Sequence, residues 1–209
     1  MNIYQLDGFA KDSSLALISG AMDQLEKKPL ECSPWKAYPY IPKVDFTMAY
    51  GNDCIFIKYF VLEKQLRSVH TDTNSNVFED SCVELFISFG NEQAYYNFEC
   101  NCIGTFLAAY GTGKTNRAFL PVEIISQIRR QSTITREQEE VIRWELLLVI
   151  PLGVFYQHTM PELKGTIARA NFYKCGDLLP EPHFVAWSDI RSEQPDFHLP
   201  GFFNTVRFV

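Results

Sequence analysis

The chain has 209 residues, 46% hydrophobic and 21% charged, which is ordinary globular composition with enough apolar material for one sizeable core. Its net charge of −6, with the 19 basic residues scattered along the chain, excludes the clustered basic footprint that a phosphate backbone requires, so nucleic acid is not an expected partner. No apolar run is long enough to cross a bilayer as a helix, and the first residues lack the basic start and apolar centre of an export signal, so a cytoplasmic location is expected unless a leader precedes this sequence.

Leu15, Ile18, Met22 and Leu25 recur at helical spacing between Ser13-Ser14 and Pro29, which predicts one short N-terminal helix. From Phe46 the period changes to two. Phe46, Met48 and Tyr50 alternate with smaller or polar residues, Gly51-Asn52-Asp53 supplies a turn, and Ile55, Ile57, Tyr59 and Val61 alternate again, which predicts a β-hairpin. Further strands are expected over 83–89, 95–102, 105–110, 142–150, 166–173, 184–187 and 205–208. Loops are expected at Gly90-Asn91-Glu92 and over 111–116, 135–140, 176–182 and 191–201. Strands in succession with little helix between them predict an all-β fold, an antiparallel β-sandwich of the jelly-roll kind, as a single domain over 1–209. The aromatic content, 14% with seventeen Phe and ten Tyr, suits pleated strands and also supplies flat platforms for a sugar or a base.

Gly111-Thr112-Gly113-Lys114-Thr115 has the end of a phosphate-binding loop, but Ala108 stands where its first glycine belongs and Pro121 stands where a helix should run. The segment reads as a hairpin loop. The six cysteines fall at irregular spacings inside apolar strands, which predicts buried thiols rather than a disulfide framework. Cys100 and Cys102 share a strand face without a second ligand pair at zinc spacing, and His70, His158, His183 and His198 are isolated, so no metal site is assigned. Glu84 and Glu99 each sit in mid-strand. Such a residue is ordinarily solvated on an alternating strand, but two of them on one concave face would bind sugar hydroxyls or serve as the carboxylate pair of a glycoside hydrolase.

The stretch Asn74-Ser75-Asn76-Val77-Phe78-Glu79-Asp80-Ser81-Cys82-Val83-Glu84-Leu85-Phe86-Ile87 resembles the loop-and-strand pattern of the family 9 carbohydrate-binding modules. Ala186-Trp187-Ser188-Asp189 and the segment from Phe197 through Pro200 to Phe208 are similar to that family's closing motifs. The resemblance covers roughly 30–209, leaving 1–29 as an N-terminal extension. It implies non-catalytic binding of a mono- or oligosaccharide, with glycan-degrading machinery as an expected partner, and no cofactor other than an optional structural calcium whose ligands the sequence does not assign. In the family two tryptophans sandwich a terminal sugar while a Glu, an Arg and amides hold its hydroxyls. The resemblance puts Phe78 and Phe197 in the place of the tryptophans, Glu84 in that of the Glu and Asn101 in that of an Asn. Glu99 stands where the family has Arg, Arg169 where it has Gln, and Gln194 where it has a loop Asn. Two other readings stay open: a glycoside-acting enzyme using Glu84 and Glu99, and an interaction domain that has lost the pocket.

Overall fold

The computed structural model describes residues 1–90, 93–138, 141–160 and 162–209. Thirteen strands run in chain order as β1 (Asn2–Gln5), β2 (Lys28–Pro29), β3 (Lys43–Tyr50), β4 (Cys54–Glu63), β5 (Cys82–Phe89), β6 (Tyr95–Asn101), β7 (Phe106–Gly111), β8 (Arg117–Phe119), β9 (Arg129–Gln138), β10 (Val141–Pro151), β11 (Ile167–Cys175), β12 (Phe184–Ala186) and β13 (Asn204–Phe208). One helix, α1 (Leu15–Asp23), lies where the helical spacing put it, and a single helical turn, α2 (Val122–Ile125), leads into β9.

Two sheets face each other. One has the order β8-β7-β6-β5-β11-β13, with β12 also on β11; the other runs β3-β4-β10-β9, with β2 on β3. The strand β1 joins them: Asn2 and Ile3 pair with β13, then Tyr4 and Gln5 pair with β3, in both cases in parallel. The other pairings are antiparallel. The expected sandwich is therefore present, with β1 as its parallel exception.

The alternation read from the sequence sets the inner face. Phe46, Ile57, Tyr59, Leu85, Ile87, Phe98, Trp144, Leu146 and Phe172 belong to one buried cluster between the sheets. Phe46 stacks on Phe172 with ring centroids 3.9 Å apart, and the Tyr59 hydroxyl crosses to donate to the Glu84 carbonyl at 2.8 Å. Each outer face is also partly covered. Ile18 and Met22 of α1 pack on Ala49, Phe56 and Val149, so residues 1–29 contribute both the joining strand and a helix to the packed structure. On the other sheet, loops lay Trp35, Ile190, Phe197 and Phe203 over Phe86, Tyr95 and Tyr173.

The strand β9 was expected to be loop from Thr135 onward. Its sequence, Arg129 to Gln138, is almost wholly polar because it is the terminal strand of its sheet and mostly exposed. Hydrophobic alternation marks strands with a buried face, and an edge strand has little of it. The expected turn residues Asn91 and Glu92, and Glu139 and Glu140, lie outside the described residues.

Candidate functional site

Strand register brings the two mid-strand carboxylates together. Glu84 of β5 is directly opposite Glu99 of β6, and Tyr173 of β11 is opposite Glu84 on the other side. Both carboxylates point to the outer face, where covering loops bury them to 3% and 2% exposure, so they are not solvated strand residues. They form the floor of an open cleft of about 500 Å³, mouth included.

The walls come from four connections. The 3₁₀ turn Val77–Glu79 supplies Phe78, whose carbonyl accepts the Asp177 amide at 3.1 Å and so ties that turn to the end of β11. The β11–β12 connection supplies Asp177, with Phe184 at the start of β12. The β7–β8 hairpin supplies Lys114 and Arg117. Before β13, Pro195, Asp196, Phe197 and His198 close the remaining side. The glycine-rich segment is thus the expected hairpin loop, closed by the Thr112 amide on the Asn116 carbonyl at 2.9 Å, and its contribution to the cleft is the two cations.

A hydrogen-bonded chain fixes the polar side. Arg117 Nη1 donates to Glu99 Oε1 at 3.2 Å and to His198 Nε2 at 3.1 Å, and Asn97 Nδ2 donates to the same Glu99 oxygen at 2.9 Å. Because Arg117 can only donate, His198 Nε2 accepts, which leaves its Nδ1–H to donate to the Tyr95 hydroxyl at 2.8 Å. Burial, reinforced by Arg117 and Lys114, lowers His198 to about 3, in keeping with a neutral ring. Burial pushes Glu99 up to about 7 against the pull of Arg117. Burial, then the Glu99 charge, holds Glu84 well above the usual carboxylate range, and Glu84 Oε1 accepts the Cys175 thiol at 3.1 Å. Asp177 is raised to about 6 by burial, with Lys114 opposing.

Of the residues singled out from the sequence, Phe78, Glu84, Glu99 and Phe197 line this cleft. Phe197 is only 8% exposed and stacks on Tyr173 at 4.1 Å, so one ring face is already occupied. Asn101 points to the same face as Glu99 but serves a loop anchor: its Nδ2 donates to the His70 carbonyl and Asp80 Oδ2, and its Oδ1 accepts the Thr105 amide. Asp80 also takes Arg67 and the amides of Val69 and His70. Arg169, opposite Ser88, reaches the Pro200 carbonyl at 3.5 Å, and Gln194 is exposed beside the cleft residue Pro195. The aromatic surplus is mostly packing: Phe86, Tyr95, Tyr173 and Phe203 form a shelf under the loops.

Lys114, Arg117, Asp177 and His198 escaped sequence reasoning because none sits in a periodic segment: Arg117 opens the three-residue strand β8, the others lie in loops, and only tertiary pairing brings them to one place. Cys82 and Cys175 are strand residues that escaped it because only long-range register brings them together. They are 93 positions apart and meet as register partners of β5 and β11. Their sulfurs and a Glu84 oxygen lie within 4.8 Å of one another, the one such group of His, Cys, Asp or Glu among the described residues. Two soft sulfurs do not suit calcium, which takes oxygen ligands.

The family model for carbohydrate-binding family 9 matches residues 16–208. Among solved structures, a protein of Bacteroides uniformis ATCC 8492 assigned as carbohydrate-binding is 37% identical, with a TM-score of 0.92 over 100% of this chain and 98% of that one. A family 9 carbohydrate-binding module from Caldicellulosiruptor kristjanssonii in complex with cellotriose is similar in fold, with a TM-score of 0.61 and 11% identity over 100% of this chain and 93% of that one. The same organism's module in complex with glucose gives 0.61 and 10% over 100% and 96%. A search of curated protein sequences finds no match.

Proposed function

Since the chain belongs to carbohydrate-binding family 9, we propose that it binds a mono- or oligosaccharide in the cleft above Glu84 and Glu99, and does so without cleaving it. The observation that carries this reading is the combination in one cleft of half-buried aromatic walls, Phe78 and Phe184, with a hydrogen-bonding floor of carboxylates. A pyranose has apolar C–H faces and a rim of hydroxyls that both donate and accept. Aromatic walls cover the faces, while Glu84, Glu99, Asp177 and Asp196 accept and Arg117 and Lys114 donate. The cellotriose and glucose held by the two structural relatives support a saccharide as the class of ligand.

The same geometry favours binding over hydrolysis. A glycoside hydrolase flanks the scissile bond with its two carboxyls, whereas Glu84 and Glu99 are adjacent on one sheet face and approach a ligand from the same side. The open cleft between Phe78 and Phe197 also favours a ligand site over a closed interaction surface.

Calorimetric titration with glucose, cellobiose and other soluble saccharides tests the proposal. Binding with no release of reducing ends is the expected result. If wild-type protein binds none of a broad glycan panel, the reading fails.

A further inference from the structure

We infer that Cys82, Glu84 and Cys175 form a three-ligand site for a thiophilic divalent cation of the zinc class, with its fourth coordination position open to the cleft. The inference rests on the three donors and does not depend on what occupies the cleft. Cys82 and Cys175 are facing partners of β5 and β11, and Glu84 is two residues beyond Cys82, hence on the same sheet face. Their ligand atoms lie within 4.8 Å of one another, and Cys175 Sγ is 3.1 Å from Glu84 Oε1. Zinc–sulfur and zinc–oxygen bonds of about 2.3 and 2.1 Å put tetrahedral ligands roughly 3.5–3.8 Å apart, so small side-chain adjustments complete the site.

The side chains are held where a cation needs them. Cys82 is 0%, Cys175 1% and Glu84 3% exposed, and all three are fixed by strand backbone rather than by a loop. Cys175 Sγ lies 3.1 Å from Glu84 Oε1 and 3.5 Å from the Phe78 carbonyl oxygen, hydrogen-bond contacts that a bound cation would replace. Protons balance on exchange: two thiols and the Glu84 carboxyl give up three protons to solvent, and two thiolates, a carboxylate and a dication then carry one net negative charge, so affinity rises with pH. Glu84 and Cys175 line the cleft while Cys82 lies beneath them, so a cleft water completes the tetrahedron. Sulfur donors select zinc, cobalt and related ions over calcium and magnesium.

Co²⁺ added to the reduced full-length chain tests this directly. The expected result is a sulfur-to-cobalt charge-transfer band with intense tetrahedral d–d bands, saturating at a single equivalent and displaced by Zn²⁺ but not by Ca²⁺. Cys82→Ser and Cys175→Ser should each abolish the charge-transfer band or reduce it sharply, Glu84→Gln should weaken Co²⁺ binding at least about tenfold, and Cys54→Ser, on the far sheet, should change nothing. Should a cysteine variant fail to fold, alkylation of wild type decides, because Zn²⁺ must slow modification of Cys82 and Cys175 and leave Cys32 unaffected. No band with reduced wild type, a band that survives both cysteine substitutions, or unslowed alkylation overturns the inference.

Discussion

Glu84 and Glu99 share one buried floor, and Arg117 is committed to Glu99 and His198. Glu84 is left with a thiol as its hydrogen-bond donor, in a place where burial and a neighbouring carboxylate both disfavour its charge. A carboxyl whose pKa is raised by folding binds its proton more tightly in the folded state. Its contribution to stability is therefore full below the ordinary carboxylate range and is lost as pH rises through the raised value, which for Glu99 is about 7. Glu84→Gln keeps an oxygen to accept the Cys175 thiol and removes the ionisation. The variant should melt at the wild-type temperature near pH 5 and above it near pH 8 or 9, and an advantage independent of pH would count against this account. The aromatic wall is tested separately. Phe78→Ala should weaken saccharide binding roughly tenfold, or ~1.4 kcal/mol, with little change in melting temperature because Phe78 is only half-buried in a turn. Phe197→Ala should lower stability as well, since that ring stacks on Tyr173.

Between the sheets, a second polar cluster ties β4, β10 and β11 together on the face opposite the cleft. Lys174 Nζ lies 3.0 Å from Glu63 Oε2 and donates to the Cys175 carbonyl at 2.8 Å and to His183 Nε2 at 2.7 Å, while Trp144 Nε1 donates to Glu63 Oε1 at 2.6 Å. His183 is thus a neutral acceptor, and burial followed by Lys174 lowers it to about 3. That contribution to stability is present above the unfolded-state value and is lost as pH falls from there towards 3, the opposite sense to Glu84. Lys174→Met would strand Glu63 inside the core and should cost about 3–5 kcal/mol in urea unfolding, whereas adding Glu63→Gln should restore much of it, because the amide oxygen still accepts from Trp144. The sequence disclosed β3, β4, β5, β6, β7, β10 and β11 because each has a buried face with period two, and it also disclosed the short strands β12 and β13. It did not disclose β1, β2, β8 or β9, which are short or polar. In the cleft the strand-borne Glu84 and Glu99 were legible for the same reason, as were Phe78 and Phe197 through their resemblance to a known pattern. The cations of the β7–β8 hairpin and the Cys82–Cys175 pairing meet the cleft through register between distant strands, which no local pattern encodes.

At the scale of the molecule, β1 is, among the described residues, the one strand hydrogen-bonded to both sheets, and its Ile3 side chain is 1% exposed in the inter-sheet core. Ile3→Ala should cost ~3 kcal/mol and should lower hydrogen-exchange protection in β13 and β3 together. Loss confined to one sheet would show that the two sheets open independently.

The joining strand also decides how the molecule can be held. The Met1 ammonium donates to the Thr205 carbonyl and the Val209 amide to the Ile3 carbonyl, so the two chain ends meet. They meet beside Ile167, whose register partner is Arg207, whereas the cleft lies at the other end of β11, at Cys175, about 26 Å away by strand rise. Anything fused or tethered through either end therefore departs from the side remote from the ligand. A chain anchored to a surface by its N-terminus and one anchored by its C-terminus would present the same mouth outward, and a linker joining the two ends would turn the protein into a ring without crossing it.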